Sequence, residues 1–527
     1  MVVSQIALRE DYWSSFELQD QDIEFLYNHL LELETPLTSK ELTTALVKER
    51  ILCEKLAIER QRSSGGAIFF PKEHYTVKQN LVFPVFNWRK GQVVGVRPGR
   101  NPDLGEFEVI KVVFEEGDTH EFAAGLEDHP LNRPPEITQD DDSLNLSVVM
   151  DKYGDYLVTC LEEGLEKSPD FVRIAGRWFP RTLLVIVNAG HLNLAEAVLD
   201  MAGGGPMTTT DLLKQVELPS DVNPKLVEFS LDLSLQEDPR FDEVGSAGEV
   251  LWFLNRLEPE AVLQPPIYLR YSEIEYDHSL ITGAMAALER DLDDELSPSE
   301  GKYPRVDEVQ IRLIFPHWRS GTLPLSARMR HLFPTAYEAP RIRFMLVDGN
   351  TGQKFPGWVV RPNRYVYGLQ EWYRSHGLLP GSYVWVRRGD RPGEVIVRAD
   401  THRPNREWVR TVLVGSDGGI VFAMLKQIVS SPYDERMGIV IPDVEGLDKV
   451  WQRMQKERMP FERIVVNTMR ELAKLNPQSH VHASELYASI NIVRRCPPGP
   501  ILALLTTRPW FVHVGDLHYR FDDSERA

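Results

Sequence analysis

Between Arg305 and Arg410 the sequence holds 18 Lys and Arg against 9 Asp and Glu, and every one of those cations except Lys354 is arginine. A guanidinium presents a planar fork of donors that meets a phosphate or a guanine edge bidentately and stacks on flat rings, so this composition suits nucleic-acid contact. Trp318, Trp358, Tyr365, Tyr367, Trp372, Tyr373 and Trp385 are interleaved with the arginines and offer stacking faces for bases. The expected phosphate contacts are Arg312, Arg319, Arg328, Arg330, Arg341, Arg343, Arg361, Arg364, Arg387 and Arg388. Two plainer readings stand beside this one: the aromatics are a β-domain core beneath a solvated, partly paired arginine face, or the cations meet a different acidic partner. The 527 residues carry a net charge of −19, so an excess of nine in this stretch leaves −28 for the remainder. The flanks would therefore repel a polyanion that the middle could attract.

No other chemistry is signalled. The sequence contains no Walker loop, dinucleotide fingerprint, His-Glu-x-x-His helix or Gly-x-Ser-x-Gly elbow. Gly203-Gly204-Gly205 follows a helical pattern instead of a strand, so it reads as a turn and not as a phosphate cradle. His480, His482, His513 and His518 gather near the C-terminus, but no Cys or carboxylate spacing completes a metal site. Asp307-Glu308 lacks the strand-borne Asp/Glu-x-Lys of a nuclease centre. No catalytic residue, metal or cofactor is expected, and the chain is read as non-enzymatic. Cys53, Cys160 and Cys496 are too far apart for a disulfide framework, which suits a reducing cytoplasm. The opening MVVSQIALREDYW lacks a basic region followed by an apolar run, and the apolar stretch Leu183–Val187 is far short of the roughly 20 residues a membrane helix needs. A cytoplasmic protein with no membrane partner is expected.

The elements that must carry the arginines read as β. VQIRLIF, RIRFMLVD, GWVVR, YVWVRRG and EVIVRA are short alternating or apolar strands between Gly and Pro turns, with one short helix near Leu369. Short strands in this number around one helix imply a barrel or pseudobarrel. The stretch from Arg341 to Ala399, chiefly F-x-G-W at Phe355–Trp358 and L-L-P-G-S-Y-V-W-V at Leu378–Val386, resembles the pseudobarrel DNA-binding domains of plant auxin-response-type factors and of certain restriction enzymes. That resemblance implies a fold and a basic surface, not individual base contacts.

A second pattern repeats along the chain. Asp170–Trp178, Pro239–Gly245 and Pro509–Gly515 each run as a Phe-led alternating strand to a turn glycine, and a second strand follows at Glu249–Leu254 and Leu517–Phe521. Upstream of the second hairpin lie a helix at Leu194–Met201, a capping pair Thr208 and Asp211, and a helix opened by Asn223-Pro224. Upstream of the third lie helices at Phe461–Leu475, Ser484–Ile490 and Pro500–Thr507. At the N-terminus Asp20–Glu34 is helical, Thr38-x-x-Glu41 caps a next helix, Ile51–Arg62 is a third, Ser63–Gly66 a turn, and Ala67–Phe70 opens a wing. Helix, helix, helix, hairpin is the winged-helix order, and the last two modules resemble the winged helix of the bacterial RNA polymerase delta subunit (HARE-HTH-like). Of the helices, only the N-terminal one has a plausibly basic face, with Lys48, Arg50, Lys55, Arg60 and Arg62 as a secondary nucleic-acid contact. Lys225 is offset by Glu228 and Asp232, and Pro500–Thr507 has no charge.

The expected class is α+β and multidomain: winged helix at 1–74, a small SH3- or Tudor-like barrel at 75–135, a short winged-helix-like module at 143–182, a winged helix at 183–260, an acidic linker at 261–304, the Arg-rich pseudobarrel at 305–412, an α/β connection at 413–458 and a C-terminal winged helix at 459–527. Asp140–Asp142 and Asp291–Glu295 read as acidic linkers, the latter a candidate intramolecular competitor for the arginines. The expected function is a DNA-binding transcription regulator or nucleoid-associated factor. A scaffold on a protein partner such as RNA polymerase, or the DNA-recognition subunit of a DNA-processing or defence system, is the alternative.

Overall fold

The computed structural model describes residues 12–63, 67–83, 86, 89–101, 106–114, 117–127, 129–132, 142–218, 222–281, 283–298, 304–415, 418–457 and 459–522. It is an α+β, multidomain architecture. By internal contacts the chain divides into two units, residues 1–185 with 220–229 and residues 186–219 with 230–527.

The first unit holds α1 (Asp20–Leu33), β1 (Leu37–Thr38) and α2 (Ser39–Ser63), then a sheet of β2 (Ala67–Ile68), β3 (Asn80–Phe83), β4 (Arg89–Pro98), β5 (Glu108–Phe114) and β6 (Thr119–Ala124), then α3 (Leu146–Glu166), β7 (Phe171–Ile174) and β8 (Arg177–Pro180). Two expectations are corrected here. Residues 39–63 form one helix, not two, because no Gly or Pro interrupts them. Ala67 does not open a wing: β2 pairs in parallel with β3 inside the five-stranded sheet, around an aromatic core of Phe69, Phe83, Phe114 and Phe122. The hairpin that completes the N-terminal helices is β7–β8, since Leu37 pairs with Trp178 and Thr38 with Arg177. The stretches expected as modules 1–74 and 143–182 are two halves of one module with the sheet inserted between them.

The second unit repeats that order. α4 (Ala189–Met201), β9 (Met207–Thr208), α5 (Thr209–Leu213), α6 (Pro224–Glu237), β10 (Phe241–Glu243) and β11 (Leu251–Leu254) follow one another, with Met207 paired to Trp252; the first half of α6 groups with the other unit. After α7 (Glu260–Leu263) and α8 (Ala284–Leu292) comes the central sheet: β12 (Glu308–Arg312), α9 (Phe315–Ser320), β13 (Thr322–Pro324), β14 (Arg341–Asp348), β15 (Lys354–Val360), β16 (Tyr365–Tyr367), α10 (Gln370–Ser375), β17 (Tyr383–Arg388) and β18 (Glu394–Arg398). Its seven strands run in the order β12-β17-β18-β14-β15-β16-β13 and curl into a half-barrel, with β14 and β18 parallel. Strict alternation in β14 turns Ile342, Phe344 and Leu346 inward to the core and Arg341 and Arg343 outward. Gly357 of the F-x-G-W motif lets β15 approach β14, because a Cβ there would come within 2.8 Å of the Phe344 ring.

β19 (Asn405–Val414) and β20 (Ile420–Val429) form a separate ten-pair ribbon, so the expected boundary at 412 falls inside a strand. α11 (Val444–Glu457), α12 (Phe461–Ala473), β21 (His480–His482), α13 (Ala483–Ile490), α14 (Pro498–Thr507), β22 (Phe511–Gly515) and β23 (His518–Phe521) end the chain, with Val481 paired to Tyr519.

The three-helix units share chemistry as well as order. Trp178 Nε1 donates to Ser39 Oγ at 3.0 Å, and Ser39 Oγ donates to Glu162 on α3 at 2.6 Å. At the matching positions Trp252 Nε1 donates to Thr209 Oγ1 at 3.1 Å and to Asp232 on α6 at 2.9 Å, and Thr209 donates to Asp232. Asp232 is thus a buried core acceptor and not a surface charge. In the last unit Ala483 takes the hydroxyl's place, and the buried hydroxyl of Tyr519 has no hydrogen-bond partner among the described residues. Each unit caps its second helix with the residue before it: Thr38 with Glu41, Thr208 with Asp211, His482 with Glu485.

Candidate nucleic-acid interface

Eight of the ten arginines expected on phosphate are engaged within the chain. Arg312 pairs with Asp291 at 2.6 Å and Asp434 at 3.2 Å, Arg319 with Asp448 at 2.8 Å, and Arg328 with Asp293 at 3.1 Å. Arg341 meets Asp242 and lies 3.0 Å from Glu258. Arg343 lies 5.4 Å from the ring centres of both Phe253 and Trp358, and burial pulls its pKa down. Arg361 donates to the Ala339 carbonyl at 2.9 Å, Arg364 to that of Glu295 at 3.1 Å, and Arg388 to that of His331 at 3.0 Å. The cause for Arg341 and Arg343 is that the outer face of β14–β16, solvent-facing in an isolated half-barrel, is covered: Trp358, Val360 and Tyr365 are buried with Val244 and Phe253 of the β10–β11 hairpin.

The acidic stretch before the sheet is a second correction. Asp293, Asp294 and Glu295 are buried, not solvated. Arg495, itself wholly buried, donates to Asp294 at 2.6 Å and to Glu295 at 2.7 Å; Tyr487 Oη donates to Asp294 at 2.5 Å. His317 Nε2 lies 3.2 Å from Glu295, and Ser326 donates to Asp293. Burial pushes the Glu295 carboxyl up, but the Arg495 charge and His317 outweigh it and hold the group well below the usual carboxylate range. Asp294 and Glu295 tie the half-barrel to the C-terminal helices, while Asp291 and Asp293 lie on Arg312 and Arg328.

Several of the arginines left at the surface lie near one another. Arg330 has no ion-pair partner among the described residues, and the carboxylate nearest Arg387 is Asp390 at 3.9 Å, itself exposed. Arg388 reaches the carbonyl of His331, whose Nε2 in turn lies 2.7 Å from the carbonyl of Val306. Those contacts bring Arg330, Arg387 and Arg388 to one rim with Arg305, and the tight turn from Gly389 to Gly393 adds Arg391. Asp307, Glu308 and Asp390 share the rim, which leaves arginine in excess. Arg305 and Arg391 were not singled out by sequence reasoning. The signal for Arg391 was the turn R-R-G-D-R-P-G, where short connection and charge coincide; nothing in the sequence marks Arg305.

Elsewhere the basic helix face is partly spent. Arg50 is held by Asp22 and lies 5.1 Å from the Phe16 ring centre, whereas Lys48 and Lys55 are exposed. The side chains of Arg60 and Arg62, together with Asp140, Asp141 and the turn residues 64–66, lie outside the described residues. Lys48 and Lys55 belong to α2, while the third helix of that unit is α3, whose charges are mostly acidic. α13 is buried along nearly its whole length and α14 along most of it, so neither can enter a groove. Of the histidines, His482 Nδ1 accepts from Ser484 N at 3.1 Å; burial, then Arg436 and His518, take its pKa down to about 4. Among the described residues no helix is long and apolar enough to cross a membrane. Compared with known protein families, curated proteins and solved structures, the chain matches none.

Proposed function

We propose that this chain is a non-enzymatic nucleic-acid-binding protein, DNA favoured, whose contact is the rim of Arg305, Arg330, Arg387, Arg388 and Arg391. The observation that carries this is the placement of Arg305, Arg330, Arg387 and Arg391, which lack a tight carboxylate partner among the described residues and lie with Arg388 at one end of the half-barrel, whereas Arg312, Arg319, Arg328 and Arg341 are paired to carboxylates within the fold. The half-barrel is read as a pseudobarrel and the three-helix units as winged helices, supported by the common pairing of the strand before the second helix with the second hairpin strand. The inserted five-stranded sheet is read as an SH3- or Tudor-like barrel. The buried faces of α13 and α14 favour a structural or protein-contacting role for the last winged helix.

Full-length protein titrated into labelled duplex, single-stranded DNA and RNA, followed by fluorescence polarisation, tests this. Affinity should fall steeply with salt as counterions are released. The triple variant Arg330→Glu, Arg387→Glu and Arg391→Glu should bind at least tenfold more weakly, with the log–log salt slope shallower by about 2–3. Unchanged affinity removes the rim from the interface. No salt-sensitive binding by the unaltered protein favours the second reading, a protein-interaction scaffold, which the exposed apolar residues of the β19–β20 ribbon also support.

A further inference from the structure

The first unit carries a groove between α1 and α2, about 930 Å³ in volume and lined largely by apolar atoms. On the α2 side Glu41, Ala45, Lys48, Leu52 and Lys55 recur at spacings of four and three, so they share one face of the helix. On the α1 side Phe25 and His29, one turn apart, stack with ring centres 5.6 Å apart and form the opposite wall. α1 begins beside Arg50, which Asp22 holds, so the later turns of α2 project past it. Leu52 and Leu56 stand on those turns and are 50% and 43% exposed. Large apolar side chains clustered in solvent mark an interface.

Two properties of the groove say what fits it. Its walls are helices, whose backbone N–H and C=O groups are spent within the helix, so an extended segment would find no backbone to pair with. A helix satisfies its own backbone and can seat an apolar ridge in such a groove. The second property is charge. Lys40, Lys48 and Lys55 line the groove, are exposed, and have no ion-pair partner among the described residues. Of the two acids beside them, Glu41 is spent on the helix cap: it accepts from Thr38 N and Oγ1 at 2.8 Å, and Arg177 and Lys225 also act on it. That leaves Glu49 against three lysines among the lining residues, so the free charge of the groove is positive and calls for an acidic occupant. A nucleic-acid backbone would meet the lysines but leave the leucines and the Phe25 ring uncovered. From Lys40 to Lys55 the helix rises about 22 Å, the length of about four turns.

We propose that this groove seats an amphipathic helix of a partner protein, about four turns long, with an apolar face flanked by Asp or Glu. The apolar face enters between Phe25 and Leu52, and the flanking carboxylates lie against Lys40, Lys48 and Lys55. The site uses none of the rim arginines and stands whether or not the rim binds nucleic acid.

The test is fluorescence anisotropy of a labelled 18-residue helical peptide, with Leu at alternate third and fourth positions and Glu beside them, titrated with the full-length protein. Two control peptides, one with Lys in place of Glu and one with the leucines scrambled off a single face, should each bind at least tenfold more weakly. Lys48→Glu with Lys55→Glu, both at exposed positions, should weaken the Glu peptide at least tenfold and strengthen the Lys peptide, with circular dichroism and melting temperature unchanged. That exchange of preference cannot come from unfolding. Leu52→Asp should weaken both peptides. No binding of the Glu peptide at 100 µM protein overturns the proposal, as does a preference for Glu that survives the lysine exchange. If the exchange leaves the peptide bound and weakens duplex DNA instead, the lysines serve nucleic acid and the proposal falls. A dimer of the chain that Leu52→Asp splits assigns the groove to a second copy and overturns it as well.

Discussion

Arg495 joins two distant stretches of the second unit. It is fully buried and answers two buried carboxylates, Asp294 and Glu295, from a segment 200 residues away in sequence. Removing one member of such a set leaves the others charged and unpaired, at a cost of about 3–5 kcal/mol. Arg495→Ala should therefore lower the unfolding free energy of the second unit, measured by urea titration, by an amount of that order; a loss below about 1 kcal/mol would contradict this role. Nothing in the string D-D-E-L marks these acids as buried, because a charge run is ordinarily a solvated face. Their complement, Arg495, sits in R-R-C-P-P, where the next residue, Cys496, is also buried. A sequence shows charge but not who faces whom, and the same blindness explains why Arg341 and Arg343 looked free.

At the scale of elements the sequence was more legible. Alternation located the strands of the half-barrel, and capping pairs located the helix starts at Thr38 and Thr208, because those signals are local. The pairing of β1 with β8 was not legible, since it joins residues on either side of an inserted sheet. The packing of the β10–β11 hairpin on the half-barrel carries a pH signature. Burial, then a hydrogen bond shared with Asp242, raises the pKa of Glu258 to about 8, against the opposing pull of Arg341; burial, then Glu338 and Asp242, outweigh the Gly245 N–H and raise Glu243 to about 8 as well. A carboxyl whose folded pKa lies above its ordinary value of about 4.3 prefers to fold protonated. Its contribution is complete below that ordinary value and is lost as pH rises through about 8. The melting temperature should thus fall between pH 6 and pH 9, and Glu258→Gln, which cannot ionise, should melt higher than the unaltered protein at pH 9. A flat profile, or a variant less stable at pH 9, would show that the carboxyl is ionised in the fold.

For the molecule as a whole, the repeated three-helix unit decides which pieces can stand alone. Residues 1–74 contain α1, β1 and α2 but neither the α3 face that supplies Glu162 nor the strand that supplies Trp178. That fragment should expose amides of Leu37 and Thr38 and be cut rapidly by a nonspecific protease, whereas residues 1–185 should resist; equal resistance would mean the helices pack without their hairpin. The inserted sheet also sets a schedule for synthesis. Leu37 must wait for Trp178. Because domains form as the chain emerges at about 5–20 residues per second, the N-terminal helices spend several seconds outside the ribosome with their strand unpaired. The inserted sheet, closed by neighbouring strands, can fold within that interval and hold the two halves of its host together until the last strand arrives.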